Sequence, residues 1–214
     1  MTSDAVVCAV VQDEARQARD PRVVTAARAC LELMRARRQT SPKRLIDPGP
    51  SEEQIHSLFD AAAQAPDHGS IRPWRFVRVG IAARRDLGEA FARALCERDT
   101  RATPTQLQEA RAKALRAPFL ALAIARLSDA HREIPPAERL VSLGCALQNM
   151  LLVAHAFGYG AALVSGQAMR SMALRELFDI GESEQAECFI AVGTVIEDKP
   201  ARKRPTPEEF VSVL

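Results

Sequence analysis

The chain has 214 residues, enough for one domain with appendages, and its 47% hydrophobic and 26% charged content is that of an ordinary globular protein. A net charge of +2 is too small to imply nucleic acid or a membrane surface as partner, and 5% aromatic residues count against stacking platforms for single strands. The five cysteines, Cys8, Cys30, Cys96, Cys145 and Cys188, are odd in number, far apart and without a CxxC pair; this argues against a disulfide framework or a thiolate zinc site and for a reducing cytoplasm.

The first apolar run, Ala5 to Val11, lies between Asp4 and Asp13-Glu14 and lacks the length and basic flank of a signal peptide or membrane span. Residues 1–20 read as a loosely held extension. From Pro21, Val24, Ala27, Leu31 and Met34 recur at helical spacing, and the helix should end near "RRQTSP", since Pro42 disfavours helical geometry in the residue before it. "SEEQIHSLFDAAAQAP" predicts a second helix with Ser51 as N-cap, Glu52 and Glu53 in its first turn, a buried stripe of Ile55, Leu58, Phe59 and Ala62, and Pro66 closing it. A strand follows at about 74–79, then a charged helical stretch from 82 to 117 that restarts at Thr103-Pro104.

"PFLALAIARL" (118–127) predicts a buried strand. Residues 137–158 predict a helix apolar nearly all round, suited to an interior or a subunit interface and ended by Gly158 and Gly160. "AALVSG" reads as a strand, "SMALRELFDI" as a helix and "ECFIAVGTVIE" as the last strand. The tail "DKPARKRPTPEEFVSVL" is proline-rich and basic, then apolar at Phe210, Val211, Val213 and Leu214. Helices and strands mix without a regular βαβ cycle, which predicts an α+β layered domain with one sheet of about four strands.

No phosphate-loop, dinucleotide, nucleophile-elbow or zinc-protease motif is present, and His56, His68, His131 and His155 are not at metal-ligand spacing. His68 stands in a helix-to-strand loop beside Gly69, as a helix cap or as a ligand contact. Arg37, Arg38, Lys43 and Arg44 around Thr40 and Ser41 form either a phosphate site or a cationic helix end. "ARKRP" (201–205) reads by itself as a solvated tail.

The order of these features resembles the nitroreductase family. Arg38-Gln39-Thr40 is similar to the family's opening motif. "APDHGSIRPWRF" (65–76) resembles its helix-to-strand loop ending in Pro-Trp, in the Ala-Pro-Asp-His form of the compact YdjA-like subgroup. "SLGCALQNMLLVAHAFGYG", "LVSG" and "VGTV" follow in family order, so the resemblance spans residues 21–214.

It implies a three-layer sandwich with a mostly antiparallel sheet, in an intertwined homodimer binding FMN at the interface. NADH or NADPH would be the electron donor. The reaction implied is hydride transfer through flavin N5 to a nitroaromatic, quinone or similar small acceptor, with no nucleic acid, membrane or metal involved. It assigns the FMN phosphate and ribityl chain to Arg38, Gln39 and Thr40, with Arg202 or Arg204 completing the phosphate site. It gives His68 a flavin contact from the partner's side, and places Leu163, Val164, Ser165 and Gly166 by the isoalloxazine ring. No protein side chain is expected to be the reacting group, because the cofactor carries the chemistry.

The domain would be 21–200, with 201–214 an arm on the partner. Gln64 and Val164 stand where some YdjA-like members have arginine, so positive charge is removed near the flavin. Metabolite dehydrogenation, flavin breakdown or a non-catalytic binding role on the same fold are the alternatives.

Overall fold

The computed structural model describes residues 21–128, 130–131, 133–197, 200 and 203–214. It divides into two compact units, Met1–Arg37 and Arg38–Leu214. The described part of the first is helix α1, Pro21–Ala36, on which Val24, Ala27, Leu31 and Met34 share one face. The expected extension, residues 1–20, lies outside the described residues.

The second unit is built on one antiparallel sheet. Its elements in order are β1 (Leu45–Ile46), α2 (Glu52–Ala63), β2 (Trp74–Arg78), α3 (Arg84–Arg98), α4 (Pro104–Ala112), β3 (Phe119–Arg126), α5 (Pro136–Ala156), β4 (Gly160–Val164), α6 (Met172–Leu177) and β5 (Glu184–Val195). β5 is the organising strand. It pairs with β3 along its length, with β4 at 189–193 and with β1 at 194–195, while β2 pairs with the far side of β3.

Each element follows from its residues. Ser51 caps α2 by accepting from the Gln54 amide, while the Gln54 side chain accepts from the Ser51 N–H at 2.9 Å, closing a reciprocal capping box. Thr103 and Gln106 repeat that box at α4, where Pro104 starts the helix with an N–H it would not have used. β3 is buried on both faces, which explains its unbroken apolar run.

Alternation along the strands sorts the core. Leu120, Leu122, Ile124 and Phe189 pack with Leu87 and Ala90 of α3 and Leu174 of α6 on one face. Phe119, Ala121, Ile190 and Val192 pack with Ile55 and Leu58 of α2 and Met150 and Leu151 of α5 on the other. Each fully buried Leu, Ile or Phe contributes about 1.5–3 kcal/mol, so the sheet is held from both sides. The α+β three-layer arrangement expected from the sequence is the one found.

Two readings are sharpened. α5 buries Leu143, Ala146, Leu147 and Met150 along one face, but Leu140 and Val141 stay exposed on the other. The C-terminal alternation forms no strand among the described residues. After a short 3₁₀ turn at Pro207–Glu209, Phe210, Val211, Val213 and Leu214 lie exposed.

Candidate functional site

Arg38, Gln39 and Thr40 run beside the start of β4. The Thr40 amide donates to the Ala161 carbonyl at 2.9 Å, and Gln39 forms a parallel bridge with Ala161. Thr40 is buried, while Arg38 and Gln39 are exposed. Two residues on from Ala161, Leu163, Val164, Ser165 and Gly166 carry the chain off the end of β4 into a 3₁₀ turn at Gln167–Arg170. The opening motif and the "LVSG" segment, far apart in sequence, are thus joined by one short strand.

A cavity of about 490 Å³ opens beside that turn. Val164, Ser165 and Gly166 line it, as does Pro42, two residues after the opening motif. Phe91 and Leu95 of α3 with Leu120 and Phe189 of the sheet supply apolar walls. Arg98, Lys113 and Arg116 also line it, and none of the three has a side-chain partner among the described residues. Cations left unpaired at an apolar cleft are a setting for a planar, partly anionic ligand.

Not every expected residue borders this cavity. Leu163 turns into the core and packs between the α2–α5 cluster and Leu143, Leu147 and Cys188. Arg38, Gln39 and Thr40 lie outside its lining. Arg204 is exposed, and Arg202 lies outside the described residues.

The loop that carries His68 is held mainly by Asp67. Its Oδ2 accepts from the Arg72 amide at 2.7 Å, bridging a turn in which Gly69, Ser70 and Arg72 all have positive φ, 69°, 53° and 45°. Gly69 therefore serves the left-handed turn itself, with Ile134 close enough to meet an added Cβ at 3.4 Å. The Asp67 Oδ1 atom is buried without a hydrogen-bond partner.

His68 does not cap the preceding helix, which ends on Gln64. Its Nδ1 sits 2.6 Å from Oε1 of Glu138 in the first turn of α5, and the ring stays exposed. It does not border the 490 Å³ cavity of its own chain.

The fit of a flavin mononucleotide can be judged from these surfaces. The apolar walls suit a tricyclic ring, and the three cations suit the negative charge it gains on reduction. Gly166 has extended backbone, and a Cβ built there meets nothing within 4 Å, so the protein leaves open space at that point. The residues present fit the group.

Sequence reasoning missed Arg98, Lys113 and Arg116. Phe91, Leu95 and Arg98 are spaced so as to share one helix face, a signal that would have put Arg98 beside the apolar stripe of α3. Lys113 and Arg116 sit in an irregular turn and left no such pattern. Among the described residues no group of three metal-ligating side chains gathers, and no helix is long and apolar enough to cross a membrane.

Comparison with known proteins agrees with this geometry. The Nitroreductase family profile matches residues 35–194. Two proteins named "Putative NAD(P)H nitroreductase" align over most of their lengths. One, from Haemophilus influenzae, is 31% identical over 81% of this chain and 94% of its own. The other, YdjA of Escherichia coli K12, is 32% identical over 85% and 97%.

Among solved structures, a nitroreductase-like family protein of Bacillus cereus superposes with a TM-score of 0.75 at 17% identity, covering 86% of this chain and 95% of that one. A protein of Desulfovibrio desulfuricans named "putative nitroreductase" and solved in complex with FMN gives 0.63 at 23% identity, covering 86% and 96%. With the antiparallel sheet, the two helical layers and the order of the motifs in place, the chain belongs to the nitroreductase family.

Proposed function

We propose that the protein is an FMN-dependent NAD(P)H oxidoreductase that reduces a nitroaromatic, quinone or similar small acceptor, in the cytoplasm and as a homodimer. The observation that carries this reading is the cavity in which Val164, Ser165 and Gly166 face Arg98, Lys113 and Arg116 across apolar walls. The NAD(P)H nitroreductase names of its relatives support the nicotinamide donor, and the FMN complex of a structural neighbour supports the cofactor.

When bound, FMN supplies the hydride chemistry. The chain's own residues have simpler tasks. Arg38, Gln39 and Thr40 hold the phosphate and ribityl end, with Arg202 or Arg204 adding a charge. Phe91, Leu95 and Phe189 exclude water from the ring. Arg98, Lys113 and Arg116 favour negative charge in the cleft and so favour the reduced cofactor. His68 reaches the cofactor of the second subunit, in keeping with its exposed place away from its own cavity. The exposed Leu140, Val141 and Phe210–Leu214 supply apolar surface for that second copy.

Purified protein should be yellow and release FMN on heating, and NADH or NADPH should bleach it anaerobically. A colourless protein that takes up no added FMN defeats the reading. Bound flavin that neither nicotinamide bleaches would instead indicate a flavin-holding protein without turnover. Light scattering at the mass of one chain would remove the dimer.

A further inference from the structure

α3 begins with an arginine that is almost wholly inside the protein. Arg84 is 4% exposed, and its guanidinium donates to four carbonyls: Nε to Val79 at 3.2 Å, Nη1 to Ala114 at 2.8 Å and Arg116 at 3.5 Å, and Nη2 to Pro118 at 3.0 Å. None of these partners is a carboxylate, and burial pulls its pKa below the ordinary arginine value. A buried cation without an anion is costly, so its retention calls for a task that apolar packing would not perform.

The position of the four carbonyls suggests that task. Three of them belong to the turn 114–118, whose path is sharp enough to put Ala117 at a φ of 65°. Arg116 in this turn and Lys113 directly before it line the cavity, as do Phe91, Leu95 and Arg98 of the helix that Arg84 begins. One side chain ties together the two segments that carry all three of the cavity's cations.

We propose that Arg84 is a positioning residue that sets Lys113 and Arg116 at the cofactor cavity. This rests on the cavity being the flavin site. Its planar fork matters more than its charge, because several carbonyls must be gathered from different directions.

Arg84→Lys keeps the charge and loses the fork. FMN affinity of the apoprotein, read by quenching of flavin fluorescence, should fall about tenfold. The same substitution in a Lys113→Ala/Arg116→Ala background should then cost less than about twofold, because residues acting as one unit are not additive. Equal losses in both backgrounds, or no loss in Arg84→Lys, would overturn the proposal.

A flavin-independent arm is hydrogen exchange on the full chain. Amides of 113–118 should exchange faster in Arg84→Lys while those of α2 do not change; unaltered exchange at 113–118 also overturns it. Wild-type protein that binds no FMN defeats the functional reading, whereas the exchange result still decides whether Arg84 holds the turn.

Discussion

The backbone amide of Thr40 donates to the carbonyl of Ala161 at 2.9 Å, and this bond fixes the opening motif to β4. The neighbouring Gly160 has no room for a side chain: a Cβ there would lie 2.5 Å from Val195 Cγ2, 2.8 Å from Leu45 Cδ2 and 3.0 Å from Thr40 Oγ1. Gly160→Ala must push Val195, and with it Leu45 and Thr40, aside. It should destabilise the fold by about 1–3 kcal/mol, the usual cost of overpacking, as read by urea denaturation.

Arg38→Ala tests the phosphate end directly. Loss of one charge-assisted contact should weaken FMN binding by about 1.5–3 kcal/mol. Wild-type affinity in the variant would mean the phosphate lies elsewhere.

Gly166→Ala separates cofactor from fold. Its φ of 168° is ordinary extended backbone and its Cβ would stand in open space. Stability should stay within about 0.5 kcal/mol of wild type. FMN affinity should fall if the ring passes against this residue. A titration with no change in affinity would move the ring away from Gly166.

Arg75 and Glu184 give a pH dependence of known sign. The guanidinium meets both carboxylate oxygens at 2.8 Å and also donates to the carbonyls of Phe178 and Asp179. Its hydrogen bonds hold the Glu184 carboxyl below the ordinary glutamate value, helped by the Gly181 amide. The ionised form is therefore the one the fold binds. Its contribution is complete above the unfolded pKa, about 4.3, and is lost as pH falls through the lower folded value. Glu184→Gln should cost about 1.5–3 kcal/mol at neutral pH and flatten the acid limb of stability against pH. Glu187 opposes this trend, since burial raises its pKa, so the difference between wild type and Glu184→Gln is the quantity to measure.

The cysteines should separate by reactivity. Cys30 and Cys96 are exposed, whereas Cys188 is buried in β5 and its thiol is pushed up to about 12. Only a thiolate reacts readily with a disulfide reagent. Cys188 should be modified last, at a rate that follows unfolding; early labelling identified by peptide mapping would contradict the packing of β5.

Legibility in the sequence was uneven for physical reasons. β3 and α2 announced themselves because each encodes its burial locally: an unbroken apolar run in one, and a capping box with a 3.6-residue stripe in the other. β1 did not, because two residues carry no period, and only pairing to Thr194 and Val195 makes them a strand. His68 was visible as an oddity, but its partner Glu138 stands 70 residues away. Arg84 and Arg139 carried no sign of burial in the sequence, yet both lie inside, donating to backbone carbonyls. Nothing in local patterning reports a cation folded inward.

β5 also contains an irregularity opposite Ala123 and Ile124: Cys188 pairs with the first and Ala186 with the second, leaving Glu187 over. That surplus residue switches the faces of the strand. Ala186 and Phe189 differ by an odd step yet join the same cluster, while Cys188 and Ile190 face the opposite one. Removing Glu187 would close the bulge and leave Ala186 opposite Ile124 and Glu184 opposite Arg126, whereas losing a residue from the regular stretch 188–192 would turn Glu184 away from Arg75 and set Ala186 on the wrong side. The strand thus has a fixed phase, anchored by an ion pair at its start and by β4 further along. A single-residue deletion within 189–192 should therefore destabilise the fold more than deletion of Glu187, as read by urea denaturation.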